Sequence, residues 1–276
     1  MSESSRMTKV WGWCLICLYY VLTVISHVKV GGWINGCFDS LSRAAYNNVI
    51  TVLVICLVAF MSYGIYRRAQ RQGLPRIVWW TLAYTALALL MSFCLFFVIH
   101  IEAIHFLQYG ILAFLMKRLW PSYLSVAILT TLAGAYDELF QYLVLDTRAM
   151  YYDFNDVFLD AVGAGMGLII YWFVGRGQSK SRPRPIWWKR PEWLAIGVTA
   201  LGLLVAALLG EFTVNLRIED PAIFTLFKEA PEGFWHYPTG PYARFHILEP
   251  ITGLLLIGLT VFIYGLLDKV AAKEGH

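Results

Sequence analysis

Three sets of polar side chains recur at helical spacing in the middle of the sequence. In IHIEAIHFLQYGILAFL, Glu102, His105 and Tyr109 stand at i, i+3 and i+7. In YDELFQ, Glu138 and Gln141 are three apart, and further on Asp156, Asp160, Gly163 and Gly167 fall at i, i+4, i+7 and i+11. On helices each set shares one face. A histidine with carboxylates beside it is the arrangement of a general base and its orienting acid. Arg148, in the connection between the second and third sets, is placed to hold an anionic phosphate or carboxylate. The segment Tyr136–Gly167 contains Asp137, Glu138, Asp146, Asp153, Asp156 and Asp160, six of the 18 acids in the chain, against Arg148 alone.

Metal chemistry is weighed against these residues first. Glu-x-x-His is the half-site of di-metal carboxylate bundles, and Glu102 with His105 has that spacing, with Glu138 as a further oxygen donor. A full site needs the motif twice, and the next helix offers Glu-x-x-Gln, so neither a metal nor another cofactor is expected. Enzymatic acid-base chemistry stays open as an alternative, although the chain has no GxSxG, no HExxH and no phosphate-cradling glycine loop. The plainest alternative is a clamp in which the acids pair with Arg148, His105 and backbone donors. One Arg and one His do not neutralise so many carboxylates, so the remainder are protonated, hydrated or bound to a cation.

The elements that must position these groups are membrane helices. Of the 276 residues 59% are hydrophobic and 14% charged, with a mean hydropathy of +0.60, which leaves too little polar surface for a soluble domain. A bilayer core of about 30 Å takes roughly 20 apolar residues per helix. The runs at Val10–Ser26, Asn48–Tyr66, Ile77–Ile99, Ile104–Leu119, Ser122–Leu143, Asp156–Val174, Trp193–Gly210 and Pro250–Leu267 predict an all-α, polytopic bundle of about eight transmembrane helices. With both termini cytoplasmic, sixteen of the 22 Lys and Arg fall inside, as the positive-inside bias requires. The first run lacks a small-residue cleavage site and reads as a retained helix rather than a signal peptide.

The basic residues mark topology, not nucleic acid: Arg67, Arg68, Arg71 and Arg76 form one break between apolar runs, and Arg176 to Arg190 another. The organisation expected is a six-helix core over residues 1–176, a basic Pro-rich cytoplasmic linker over 177–192, and a two-helix extension over 193–276 with a long outside loop at 211–249. His236 and His246 in that loop are expected to pack rather than join a site. Cys14 and Cys17, spaced as CxxC, read as small hydrophobes on one helix face, and the odd total of five cysteines argues against a full disulfide framework.

Residues 101–172 resemble the VanZ-like family of membrane proteins, named for a teicoplanin-resistance protein. The resemblance rests on Glu102, His105, Phe106, Tyr109, Gly110, Leu112 and Ala113, followed by Glu138, Gln141, Arg148, Asp153, Asp156, Gly163 and Gly167. The chain departs from the family pattern at Asp160, where Asn is usual, in lacking Pro before Arg148, and in a longer interval from Arg148 to Asp153. The resemblance implies a bacterial multi-pass protein of the inner membrane, associated with the cell envelope and sometimes with glycopeptide resistance. It supplies no reaction.

The expectation is therefore an outward-facing polar cleft lined by Glu102, His105, Tyr109, Glu138, Gln141, Arg148, Asp153, Asp156 and Asp160. Gly163 and Gly167 serve helix packing below it. The cleft binds or handles an amphipathic envelope molecule, whether membrane lipid, lipid-linked precursor or glycopeptide-type drug. The alternatives are an intramembrane enzyme acting on a lipid headgroup and a helper subunit of a larger membrane complex.

Overall fold

The computed structural model describes residues 3–37, 41–145, 152–175, 190–213, 224–226, 233–237 and 244–274. Nearly all of them lie in helices: α1 (Glu3–Cys37), α2 (Arg43–Gln72), α3 (Arg76–Met91), α4 (Ile104–Leu119), α5 (Tyr123–Phe140), α6 (Phe154–Gly175), α7 (Pro191–Leu208), α8 (Pro250–Gly265) and α9 (Leu267–Glu274). Two-residue strands β1 (Phe212–Thr213) and β2 (Phe224–Thr225) pair in parallel between α7 and α8. Among the described residues five stretches are long and apolar enough to cross a membrane: Arg43–Arg67, Arg76–Phe96, Phe154–Val174, Pro191–Leu208 and Pro250–Ala272. The chain is an all-α membrane protein. Arg148 and most of the basic linker, residues 177–189, lie outside the described residues.

At the centre stands α6. In its apolar window 83% of the residues are buried, against 6% for α2 and for α7. Its GAGMG run explains this position, because the glycines let backbones approach on two faces. A Cβ on Gly167 would lie 2.0 Å from the Gly110 carbonyl oxygen, and one on Gly163 would lie 2.8 Å from the Phe106 Cα, so α4 crosses here in backbone contact. A Cβ on Gly165 would strike the Tyr264 ring at 1.9 Å, so α8 uses the other face. The Tyr264 hydroxyl meets Thr85 at 2.9 Å, and beside it Tyr84 meets Thr260 at 2.5 Å, which ties α8 to α3.

The peripheral helices add hydrogen bonds to their apolar packing, in which Ile16 is buried and Trp13 meets Trp120 edge-on at 5.2 Å. Tyr19 and Tyr20 of α1 donate to the carbonyls of Gln108 and Ala133 at 2.9 and 2.8 Å. On α7, the Thr199 hydroxyl pairs with Tyr136 at 2.7 Å, and Glu192 accepts from Ser125 at 2.6 Å.

Two ends of the bundle differ in chemistry. At the arginine end, where α2 finishes and α3 begins, Asp268 of α9 caps α5: its carboxylate accepts from the Ser122 hydroxyl and the Tyr123 N–H, both at 2.8 Å, and from the Leu124 N–H at 3.2 Å. A carboxylate at a helix N-terminus satisfies orphan donors and complements the dipole. Lys117 of α4, also at this end, donates to the Pro121 carbonyl at 2.8 Å with its ammonium 4.2 Å from the Tyr123 ring centre.

At the opposite, acid end the helices break differently from the sequence expectation. The third helix does not run on to Ile99: α3 closes in a π-helical turn, Ser92–Phe96, and the chain is extended at Phe97 before a 3-10 turn over His100–Ala103. The break has a visible cause. The Glu102 carboxylate reaches back to accept from the N–H groups of Val98 at 3.1 Å and Ile99 at 3.3 Å, an N-cap that competes with helix continuation. Likewise α5 ends in a π-helical turn over Gln141–Leu145. Such turns are frequent where helices carry functional groups.

Candidate functional site

His105 occupies the middle of the acid end and is 1% exposed. From α4 it projects onto α6: its Nδ1–H donates to Asp160 Oδ1 at 2.8 Å, and its Nε2 lies 3.6 Å from Asp156 Oδ2. The i, i+4 spacing of the two aspartates puts one carboxylate on each side of the ring. Asp160 is fully buried, whereas the Asp156 side chain is 21% exposed, so the ladder runs from the half-open Asp156 into the interior. Asp160 fits because α5 has a glycine opposite: a Cβ on Gly134 would lie 2.3 Å from Asp160 Oδ2.

A second polar pair lies on α4 and α5. The buried Tyr109 hydroxyl donates to Asp137 Oδ2 at 2.8 Å, and Asp137 is itself 0% exposed. Glu138, buried on the neighbouring face of α5, accepts from the Gln141 amide at 2.9 Å. One oxygen of Asp137 and one of Asp160 have no hydrogen-bond partner among the described residues. Unpaired buried carboxylate oxygens are expensive in a low-dielectric interior, and a structure that keeps them has a use for them.

Asp153 stands just before α6 and caps it, its Oδ1 accepting from the N–H groups of Asn155 at 2.8 Å and Asp156 at 3.4 Å. Burial raises its carboxyl to about 7 and the neighbouring Asp156 adds to the rise, against the two cap N–H groups. Glu102 is pushed well above the usual carboxylate range by burial and by Asp156 and Asp153, while the Val98 N–H opposes the shift.

Part of the long loop covers this end. The Asn155 amide donates to the His246 carbonyl at 2.7 Å and its oxygen accepts from the Leu248 N–H at 2.8 Å. The Tyr152 N–H donates to the Leu226 carbonyl at 3.2 Å. His246 stacks on Phe234 at 4.2 Å between ring centres and contacts the Phe234 carbonyl through Nδ1 at 2.7 Å; His236 bridges to Phe245 through its backbone. Both histidines belong to the packing of the cover.

Helical spacing brings these side chains together to different degrees. His105, Asp156 and Asp160 meet directly, and Tyr109 and Glu138 are buried on the adjoining faces of α4 and α5, with Gln141 bonded to Glu138. Glu102 departs from expectation: it precedes α4 in the 3-10 turn and caps backbone rather than continuing the His105 face. The open cleft becomes a covered site in which Asp153 and Asp156 are mostly buried and keep some exposure. Asp137 is expected only as one of the acids of the segment, and Gly134, Asn155 and Tyr20 carry no expectation. Gly134, Asp137 and Gln141 at i, i+3 and i+7 were the available signal on α5; Asn155 and Tyr20 had none. Among the described residues no group of three or more His, Cys, Asp or Glu has the arrangement of a metal site. Cys14, Cys17, Cys56 and Cys94 are exposed free thiols.

No family model matches the chain, and no curated protein or solved structure is similar to it.

Proposed function

We propose that this is a VanZ-like protein of a bacterial inner membrane whose acid end recognises the polar headgroup of an amphipathic cell-envelope molecule, the apolar tail remaining in the bilayer. In this reading α1, α4 and α5 join the five apolar stretches to give eight spans, and the Lys and Arg distribution sets both termini in the cytoplasm. The acid end then faces outward. Acids outnumber bases there, which favours a headgroup that donates hydrogen bonds, such as glycan hydroxyls or an amine. Ligand reaches the site past Asp156.

The observation that carries this reading is the ladder Asp156–His105–Asp160, half-open at one end and closed at the other. Ionisable residues held at membrane depth mark substrate and ion paths far more often than scaffolds. One oxygen each of Asp137 and Asp160 is left for a further donor. The test is native mass spectrometry of the protein purified from its own membranes. The unmodified chain is expected to carry a lipid adduct that Asp156→Asn loses; the same adduct on both proteins would overturn the reading.

A second reading draws on the orientation of His105. With Asp160 on Nδ1, the ring is held with Nε2 toward the half-open side, where it can exchange a proton with a headgroup. An intramembrane enzyme acting on a lipid headgroup would use that nitrogen. Loss of headgroup turnover on His105→Gln, with the lipid still bound, would select it over recognition alone.

A further inference from the structure

At the arginine end α2 stands away from the bundle. Its hold lies at the other end, where Thr51 Oγ1 meets His100 Nδ1 at 2.5 Å and the His100 N–H donates to Asn47 Oδ1 at 3.3 Å. Further along, a crevice of about 300 Å³ opens between α2, α3 and α6. Met61 and Ile65 line it from α2, Leu82 and Leu89 from α3, and Met166 and Ile169 from α6. The Thr85 hydroxyl on its wall is already engaged by the Thr81 carbonyl and Tyr264.

Water finds no partners in such a space, and protein interiors do not leave voids of this size unfilled. A neighbouring helix does not fit either. A helix is about 10 Å across with its side chains, too wide for a crevice of about 300 Å³. A flexible hydrocarbon chain matches both the width and the lining.

The charge around the mouth decides which lipid supplies that chain. Arg67, Arg68 and Arg71 lie in the last turns of α2, and Arg76 opens α3. By helical register Arg68 comes three residues after Ile65, and Arg76 three before Trp79, which also lines the crevice. These positions continue the α2 and α3 walls toward the arginine end, beside the exposed Trp79 and Trp80. Basic pockets between spans select anionic headgroups, and exposed tryptophans suit the interface level.

We infer that the α2–α3–α6 crevice binds one acyl chain of an anionic phospholipid from the leaflet at the arginine end, with its phosphate among these arginines. This site is separate from the acids and does not rest on their function. It fastens α2 to the bundle at the end where its own contacts are sparse.

The test uses the full-length protein stripped of lipid and titrated with phosphatidylglycerol or phosphatidylcholine of the same acyl chains, with bound lipid counted by native mass spectrometry. The unmodified protein should prefer phosphatidylglycerol by about thirtyfold, given the contribution of two arginines near the surface. Arg68→Gln with Arg76→Gln should bring the two lipids level. Ala86→Trp, which fills the crevice from a lining position, should remove binding of both. Asp156→Asn should leave the preference unchanged, which separates this proposal from the reading of the acid end. Equal affinity for the two lipids, a preference that survives the double arginine substitution, or a crevice-dependent dimer without lipid would each overturn it. If Ala86→Trp fails to fold, the arginine arm alone decides.

Discussion

The helices α2 and α6 are both long and apolar enough to cross a membrane, yet one is almost wholly exposed and the other almost wholly enclosed. In water that difference would follow hydrophobicity. In hydrocarbon it cannot, because lipid tails are as apolar as leucine. What separates the two helices is the glycine spacing and the acids of α6. Gly163 and Gly167 admit α4, Gly165 admits Tyr264, and Asp156 and Asp160 find His105. By contrast α2 presents Leu53, Ile55 and Phe60 outward and makes its recorded tertiary hydrogen bonds to the bundle near one end. Small and polar residues, set among the apolar ones, distinguish the enclosed helix from the exposed one.

The largest effect expected from this contrast is on folding. Gly167→Val drives a branched side chain into the Gly110 carbonyl and should abolish a monodisperse peak in size-exclusion chromatography. Phe60→Ala on α2, 76% exposed, should leave that peak and the unfolding free energy within about 0.5 kcal/mol of the unmodified protein. Next comes the buried pair. Asp160→Ala removes the 2.8 Å partner of His105 Nδ1 and should cost about 3 kcal/mol in mixed-micelle unfolding, the scale of a broken buried ion pair.

A smaller loss is expected at the arginine end. Asp268→Ala removes three hydrogen bonds from the start of α5 and should cost about 1–2 kcal/mol in the same unfolding measurement. The smallest effect is one of pH. The Asp153 carboxyl is raised from 3.8 to about 7 in the folded protein, so the folded state holds a proton that the unfolded chain has released. Its contribution is complete below about 4 and is lost as pH rises through about 7. Asp153→Asn keeps the cap acceptor and should flatten that part of the stability profile; an unchanged slope would remove Asp153 as its source.

The spacing of α6 and of His105 was legible in the sequence because helical periodicity survives burial. The acids were also readable as a group, since charge in an apolar chain stands out. Glu102 was not placed well because the break at Phe97 contains neither Pro nor Gly; it depends on a side chain returning to backbone four residues earlier. Asp137 was hidden by its neighbour: Glu138 draws attention to one face of α5, and the Tyr109 partner is on the next. The first helix runs through Gly31, Gly32 and Gly36 to Cys37, well past its apolar run, because hydropathy bounds the span and not the helix. The cover formed by residues 244–249 carries no local signal, since it is fixed by Asn155 across more than ninety residues of sequence.

The central claim is that the acid ladder is a ligand site and not a helix clamp. Thermal unfolding of unmodified protein and of Asp156→Asn, each with and without an extract of cell-envelope lipids, tests it most directly. The account predicts similar melting temperatures without lipid, and a lipid-induced rise of several degrees in the unmodified protein that Asp156→Asn does not show. A melting temperature lowered in Asp156→Asn without lipid, together with no lipid-induced rise in the unmodified protein, would contradict it and leave the acids as structural ties.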